Sequence, residues 1–181
     1  MTRALIFILG GARAGKSRFA QELAQKQADA TGASVCFIAT AEALDEDMRA
    51  RILRHREERP AAWRVIEEPR ALAAAYAQAA EAGVVLVDCL TLLVSNWLLS
   101  MPDDADGCLT ALETTLAAFL QTFARREQTV IVVSNEIGLG IVPDNALARR
   151  YRDLLGLVNQ KVAAAATEVY WVVAGIPWRI K

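Results

Sequence analysis

The chain has 181 residues, 54% of them hydrophobic and 23% charged, with a formal net charge of −1. That length suits one domain with a sizeable core, here residues 1–181, and the composition is globular rather than disordered. So small a net charge leaves no electrostatic footprint for nucleic acid or an anionic membrane.

The first element is Ala4-Leu5-Ile6-Phe7-Ile8-Leu9, an apolar run that predicts a buried strand and is too short for a signal peptide. It leads into Gly10-Gly11-Ala12-Arg13-Ala14-Gly15-Lys16-Ser17, a full match to the P-loop pattern G-x-x-x-x-G-K-[ST]. A predicted helix over residues 16–30 follows. In that context glycines let consecutive N–H groups turn toward phosphate oxygens, aided by the helix N-terminus. Lys16 then reaches the β- and γ-phosphates, and the Ser17 hydroxyl is placed to hold Mg²⁺. The motif predicts binding of a nucleoside triphosphate.

Further strands are predicted at 34–39, 84–87, 130–133 and 169–173, rich in valine and isoleucine and nearly continuous in apolar character. Between them, helices are predicted at 45–59, 70–82, 91–100, 109–126 and 146–166, with 102–107 as a surface loop. The alternation predicts an α/β fold, a mostly parallel sheet flanked by helices. The stretch 90–99 is too short, and too interrupted by Thr91, Ser95 and Asn96, to span a bilayer. Cys36, Cys89 and Cys108 are odd in number and widely spaced, which fits reduced, buried thiols in a cytoplasmic protein and no metal cage.

In open α/β sheets, ligands gather at the carboxyl ends of strands. Thr40, Asp88 and Ser134-Asn135-Glu136 stand at such ends. Asp88 is placed as a second Mg²⁺ ligand or, alternatively, as a helix N-cap. Glu136, in a glycine-rich stretch, is a catalytic base or orders the loop. The only histidine, His55, shares a helical face with Leu44, Met48 and Ile52. It is either a partly buried structural histidine or an imidazole aimed at phosphate, with Arg54, Arg56 and Arg59 neutralising charge.

Several segments carry a family resemblance. Residues 10–18, Ile38-Ala39-Thr40-Ala41, Arg51-Ile52-Leu53-Arg54-His55-Arg56, the loop from Asn135 to Pro143, residues 147–153 and Val158-Asn159-Gln160 resemble the bifunctional adenosylcobinamide kinase/adenosylcobinamide-phosphate guanylyltransferases. The resemblance runs from Leu5 to the C-terminus, and its one small departure is Ala14, where the family commonly has serine. It implies phosphorylation of adenosylcobinamide with ATP or GTP. Transfer of GMP from GTP to adenosylcobinamide phosphate follows, through a guanylyl-histidine that falls on His55. The implied nucleotide contacts are Gly10 to Ser17, Ala39, Thr40, Ala41, Arg56, Glu57, Glu58, Arg59, Glu67 and Asp88. It also implies a P-loop NTPase fold with an antiparallel last strand over residues 178–180, and a homotrimer. Two other readings compete: a P-loop kinase of another hydroxylated metabolite, and a nucleotide-switched regulatory module. The latter is disfavoured because no Asn-Lys-x-Asp run is present.

Overall fold

The computed structural model describes residues 3–43, 45–57 and 59–181, with residue 51 through its backbone. The elements in chain order are β1 (Ala4–Gly10), α1 (Lys16–Thr31), β2 (Val35–Ala39), α2 (Glu46–Glu57), β3 (Arg64–Glu67), α3 (Leu72–Gln78), β4 (Val84–Asp88), α4 (Leu90–Ser100), α5 (Ala105–Phe123), β5 (Thr129–Val133), α6 (Ala146–Ala165), β6 (Glu168–Val173) and β7 (Ile176–Arg179). The strands form one sheet in the order β3-β2-β4-β5-β1-β6-β7. All pairings are parallel except β6 with β7.

Side chains alternate across the central strands, so each face has its own core. Leu5, Phe7, Val85, Val87, Val130 and Val132 join the cluster under α3 to α6, whereas Ile6, Ile8, Leu86, Ile131 and Val133 pack on the α1 side with Ala20, Ala24 and Ala28. Because both faces are covered, these strands carry no polar alternation. Each large side chain buried to the extent of Leu5 or Phe7, at 0% exposure, contributes about 1.5–3 kcal/mol. Among the described residues, no helix is long and apolar enough to cross a membrane.

Several elements differ in presence or extent from the sequence expectation. β3 was not expected, because only Ile66 of its four residues is buried and an edge strand needs no apolar run. α3 is shorter than 70–82. Glu68 Oε1 accepts the N–H groups of Arg70 and Ala71 ahead of it, at 3.0 and 2.9 Å. Behind it, Gln128 Nε2 donates to the carbonyls of Ala79 and Ala80, at 3.0 and 3.3 Å, so the chain can leave the helix with its polar groups satisfied. The loop expected at 102–107 ends early, since Asp104 accepts the Gly107 N–H at 2.8 Å as an N-cap and starts α5 at Ala105. The antiparallel last strand spans Ile176–Arg179 rather than 178–180, with Val173 opposite Ile176.

Between β6 and β7, Ala174 and Gly175 adopt φ of 50° and 82°. Two consecutive positive φ values are the signature of a type I′ hairpin turn, which matches strand twist.

Candidate active site

The parallel register aligns Glu67, Ala39, Asp88 and Val133 across the carboxyl edge of the sheet. β1 continues past that line and its end feeds the glycine-rich loop. The loop is built by backbone conformation. Arg13 and Gly15 lie at φ 57° and 97°, and Gly15 is the N-cap of α1. Alternation of this kind turns N–H groups inward to form an anion-binding concavity. Lys16 is buried, at 8% exposure, and its Nζ donates to the Gly11 carbonyl at 2.6 Å. Two glycines are required by packing as well. A Cβ on Gly10 would stand 2.4 Å from the Val172 carbonyl oxygen of β6, and one on Gly15 3.1 Å from the Gly175 Cα. The Gly175 N–H donates to Ala14 O at 2.9 Å, so the β6–β7 turn braces the loop from the far side.

α2 has half-buried Met48, Ile52 and His55 on one face, as the stripe predicts, while Leu53 is 51% exposed. Leu44, the first member of that stripe, and Glu58 lie outside the described residues. The α2 face closes a cavity of about 210 Å³ lined by Ser17, Ala39, Ala41, His55, Arg56, Arg59, Glu67 and Asp88. Phe37, Arg49 and Leu92 also line it and were not singled out from sequence; Leu53 and Cys89, named there on other grounds, line it too. Cys89 carried a usable signal, since it directly follows Asp88. It is half-buried at the cavity, unlike the buried Cys36 and Cys108, so the expectation of three buried thiols fails for it.

The charges in this cavity are unevenly satisfied. Arg56 pairs with Glu67. Arg59 donates through Nε to the His55 carbonyl at 2.9 Å, and its guanidinium lies 4.2 Å over the Phe37 ring. Its Nη1 is buried with no hydrogen-bond partner among the described residues. Burial first, and then Arg56, lower the Arg59 pKa, with Glu67 and Asp88 opposing them. Arginine begins so high that it stays charged at neutral pH. A buried cationic donor left unpaired is costly, and an anion in the cavity would relieve that cost.

Of the described contacts expected outside the glycine-rich loop, Thr40 and Glu57 do not line this cavity. Thr40 is fully buried, donating Oγ1–H to the Cys89 carbonyl at 2.7 Å and accepting the Cys89 N–H at 2.8 Å. Its hydroxyl ties β2 to the end of β4, next to Asp88. Glu57 is exposed and does not line the cavity. Asp88 is not a helix cap, because the N-cap of α4 is Cys89. Glu136 orders its loop: its carboxylate accepts the Gly138 N–H.

The cobinamide kinase / cobinamide phosphate guanyltransferase model matches residues 6–180. The chain belongs to that family. It is 46% identical over 176 residues to the bifunctional adenosylcobalamin biosynthesis protein CobP of Pseudomonas aeruginosa, covering 96% of this chain and 95% of the relative. With the bifunctional adenosylcobalamin biosynthesis protein CobU of Escherichia coli it shares 41% identity over 185 residues, 98% of this chain and 99% of the relative. Among solved structures, a KaiC-like protein of Pyrococcus horikoshii aligns with a TM-score of 0.51 at 14% identity, over 94% of this chain and 71% of the other. The flagellar accessory protein FlaH of Methanocaldococcus jannaschii gives 0.52 at 15% identity, over 98% and 76%. Those two likenesses concern the fold alone, and they agree with a P-loop NTPase architecture. As a cobinamide kinase and cobinamide phosphate guanylyltransferase, the chain uses nucleoside triphosphates for two transfers. Of the readings open from sequence, the switch module and the kinase of another metabolite are thereby set aside.

Proposed function

We propose that the cavity between α2 and the carboxyl edge of the sheet is where GMP is transferred, with His55 as the covalent carrier. The observation that carries this reading is that His55 lines one cavity with Arg59, whose buried Nη1 has no hydrogen-bond partner among the described residues, and with Ser17 and Asp88. The imidazole lone pair attacks the α-phosphorus of GTP, a P–N bond forms, and the P–O bond to pyrophosphate breaks. A phosphate oxygen of cobinamide phosphate then attacks the same phosphorus, which restores His55 and gives the diphosphate linkage. At about 210 Å³ the cavity is smaller than the roughly 300–1,000 Å³ usual for small-molecule sites, so it encloses part of the nucleotide. The Gly10–Ser17 loop holds the remaining phosphates, and Arg59 compensates charge on the leaving pyrophosphate.

In the kinase reaction the same loop grips ATP or GTP and Lys16 steadies the γ-phosphoryl group as it passes to the cobinamide hydroxyl. The Ser17 hydroxyl and Asp88 carboxylate line one cavity and are hard oxygen donors, which fits Mg²⁺ with its remaining positions taken by phosphates and water. When bound, that ion supplies charge neutralisation across the phosphates. The cobinamide of the family description, with the adenosylcobalamin biosynthesis in the relatives' names, supports adenosylcobinamide as the natural acceptor; the resemblance drawn from sequence motifs is the support for a homotrimer in the cytoplasm.

The test uses GTP labelled in its α-phosphate. Wild-type protein should acquire an acid-labile label, and His55→Ala should not, while still phosphorylating cobinamide at a measurable rate. Lys16→Ala should lose both reactions. A His55→Ala protein that takes up label would place the nucleophile elsewhere.

A further inference from the structure

Between β5 and α6 the chain runs Glu136-Ile137-Gly138-Leu139-Gly140-Ile141-Val142-Pro143-Asp144, with no charged side chain from Ile137 to Pro143. Leu139, Ile141 and Val142 are 81%, 96% and 61% exposed. Both ends of this loop are tied down. The Glu136 N–H donates to the Gly10 carbonyl at 3.1 Å, which joins the loop's start to the start of the phosphate-binding loop. At the other end, Arg149 Nη1 donates to the carbonyls of Pro143 and Asp144, at 2.8 and 2.6 Å. Three large apolar side chains are thus presented to water by an anchored segment, the kind of patch that marks an interaction site.

Sheet order decides what this patch faces. β5 lies between β1 and β4, so the loop leaves the sheet on the Asp88 side of the phosphate-binding loop. An acceptor hydroxyl attacks the γ-phosphorus in line, opposite the leaving diphosphate, so the acceptor must sit beside the phosphate-binding loop. The other exposed apolar patch, with Ile176 and Trp178 on β7, stands beyond β6 on the opposite side of β1.

We propose that Leu139, Ile141 and Val142 form the docking surface for the corrin ring of the cobinamide acceptor, an inference that rests on the kinase reading of the same site. A corrin macrocycle has broad apolar faces and neutral amide groups at its rim. An uncharged loop of apolar side chains and exposed backbone amides matches that chemistry, and a charged surface would not. Its attachment to Gly10 keeps the docked ring within reach of the transferred phosphoryl group.

The double variant Leu139→Ser/Ile141→Ser removes the two most exposed anchors without touching the core. The KM for cobinamide should rise at least tenfold. The KM for GTP, and covalent labelling by GTP without corrinoid, should stay within twofold of wild type. Equilibrium dialysis against cobinamide, followed by its visible absorption, reads docking without turnover, and the variant should bind at least tenfold more weakly. Unaltered dialysis binding would overturn the docking surface whatever the kinase activity of either protein. Wild type that binds cobinamide but does not phosphorylate it would count against the kinase reading instead, and weaker binding by the variant would still support the surface. A changed subunit number on size exclusion would also overturn it, making the patch a contact between copies of the chain.

Discussion

Replacing Gly10 with alanine tests whether the first motif glycine serves the sheet as much as the phosphate. The new Cβ would lie 2.4 Å from the Val172 carbonyl oxygen, in a register where Gly10 sits opposite Val172 on β6. That neighbour is backbone within a parallel ladder and has no side-chain rotation by which to give way. Overpacking costs about 1–3 kcal/mol, and the positive φ of 154° adds about 1–2 kcal/mol of strain for a residue with a Cβ. The sum, about 2–5 kcal/mol, is a large share of the 5–15 kcal/mol that ordinarily holds a fold together. For a chain of this size each kcal/mol moves the melting temperature by about 2–4 °C, so a fall of about 4–20 °C is expected. Gly11→Ala is the control, because nothing lies within 4 Å of its Cβ position. Calorimetric melting of both variants without nucleotide separates packing from ligand effects. A Gly10→Ala protein melting within about 1–2 °C of wild type would refute the packing role of this glycine.

Asp88→Asn should weaken nucleotide binding in the presence of Mg²⁺ and leave binding without the ion nearly unchanged, since an amide is a poorer ligand for a hard cation; titration with and without Mg²⁺ reads the difference. Ala174→Asn should raise stability by about 0.5–1 kcal/mol, because Asn tolerates a left-handed conformation such as the φ of 50° at this exposed turn, measured by urea denaturation. Tyr151 donates its hydroxyl to the Thr91 carbonyl at 3.1 Å, and burial raises its pKa well above the ordinary phenol value. Its neutral form is therefore favoured in the folded state, so stability is full below about pH 10 and falls as pH rises toward the folded value. Tyr151→Phe should cost about 1 kcal/mol at neutral pH and make the alkaline decline shallower in melts across pH 8–11.

The parts of this protein that depend on local pattern were legible from residues alone. Unbroken apolar runs such as Val84-Val85-Leu86-Val87 announce strands buried on both faces. The glycine-rich loop announces a phosphate site, because its chemistry is carried by consecutive backbone groups. The His55 stripe on α2 was readable because helical spacing maps sequence onto one face. β3 was not readable, since an edge strand with one buried residue leaves no pattern. The early end of α3 was hidden too, because the donors that release it, Arg126 and Gln128, stand roughly 50 positions away along the chain.

Sequence by itself determined that the chain binds a nucleoside triphosphate, that it builds an α/β sheet, and, through motif resemblance, the family it joins. Tertiary structure alone decided which polar residues at strand ends are available. Thr40 and Asp88 look equivalent in sequence, yet the Thr40 hydroxyl is spent on Cys89 while Asp88 lines the cavity. It also decided that Arg59 holds a buried donor with no partner among the described residues and that Gly10 must be glycine for the sake of β6. The physical reason is that hydrogen-bond satisfaction and steric contact join residues distant along the chain, and no local period records those pairings.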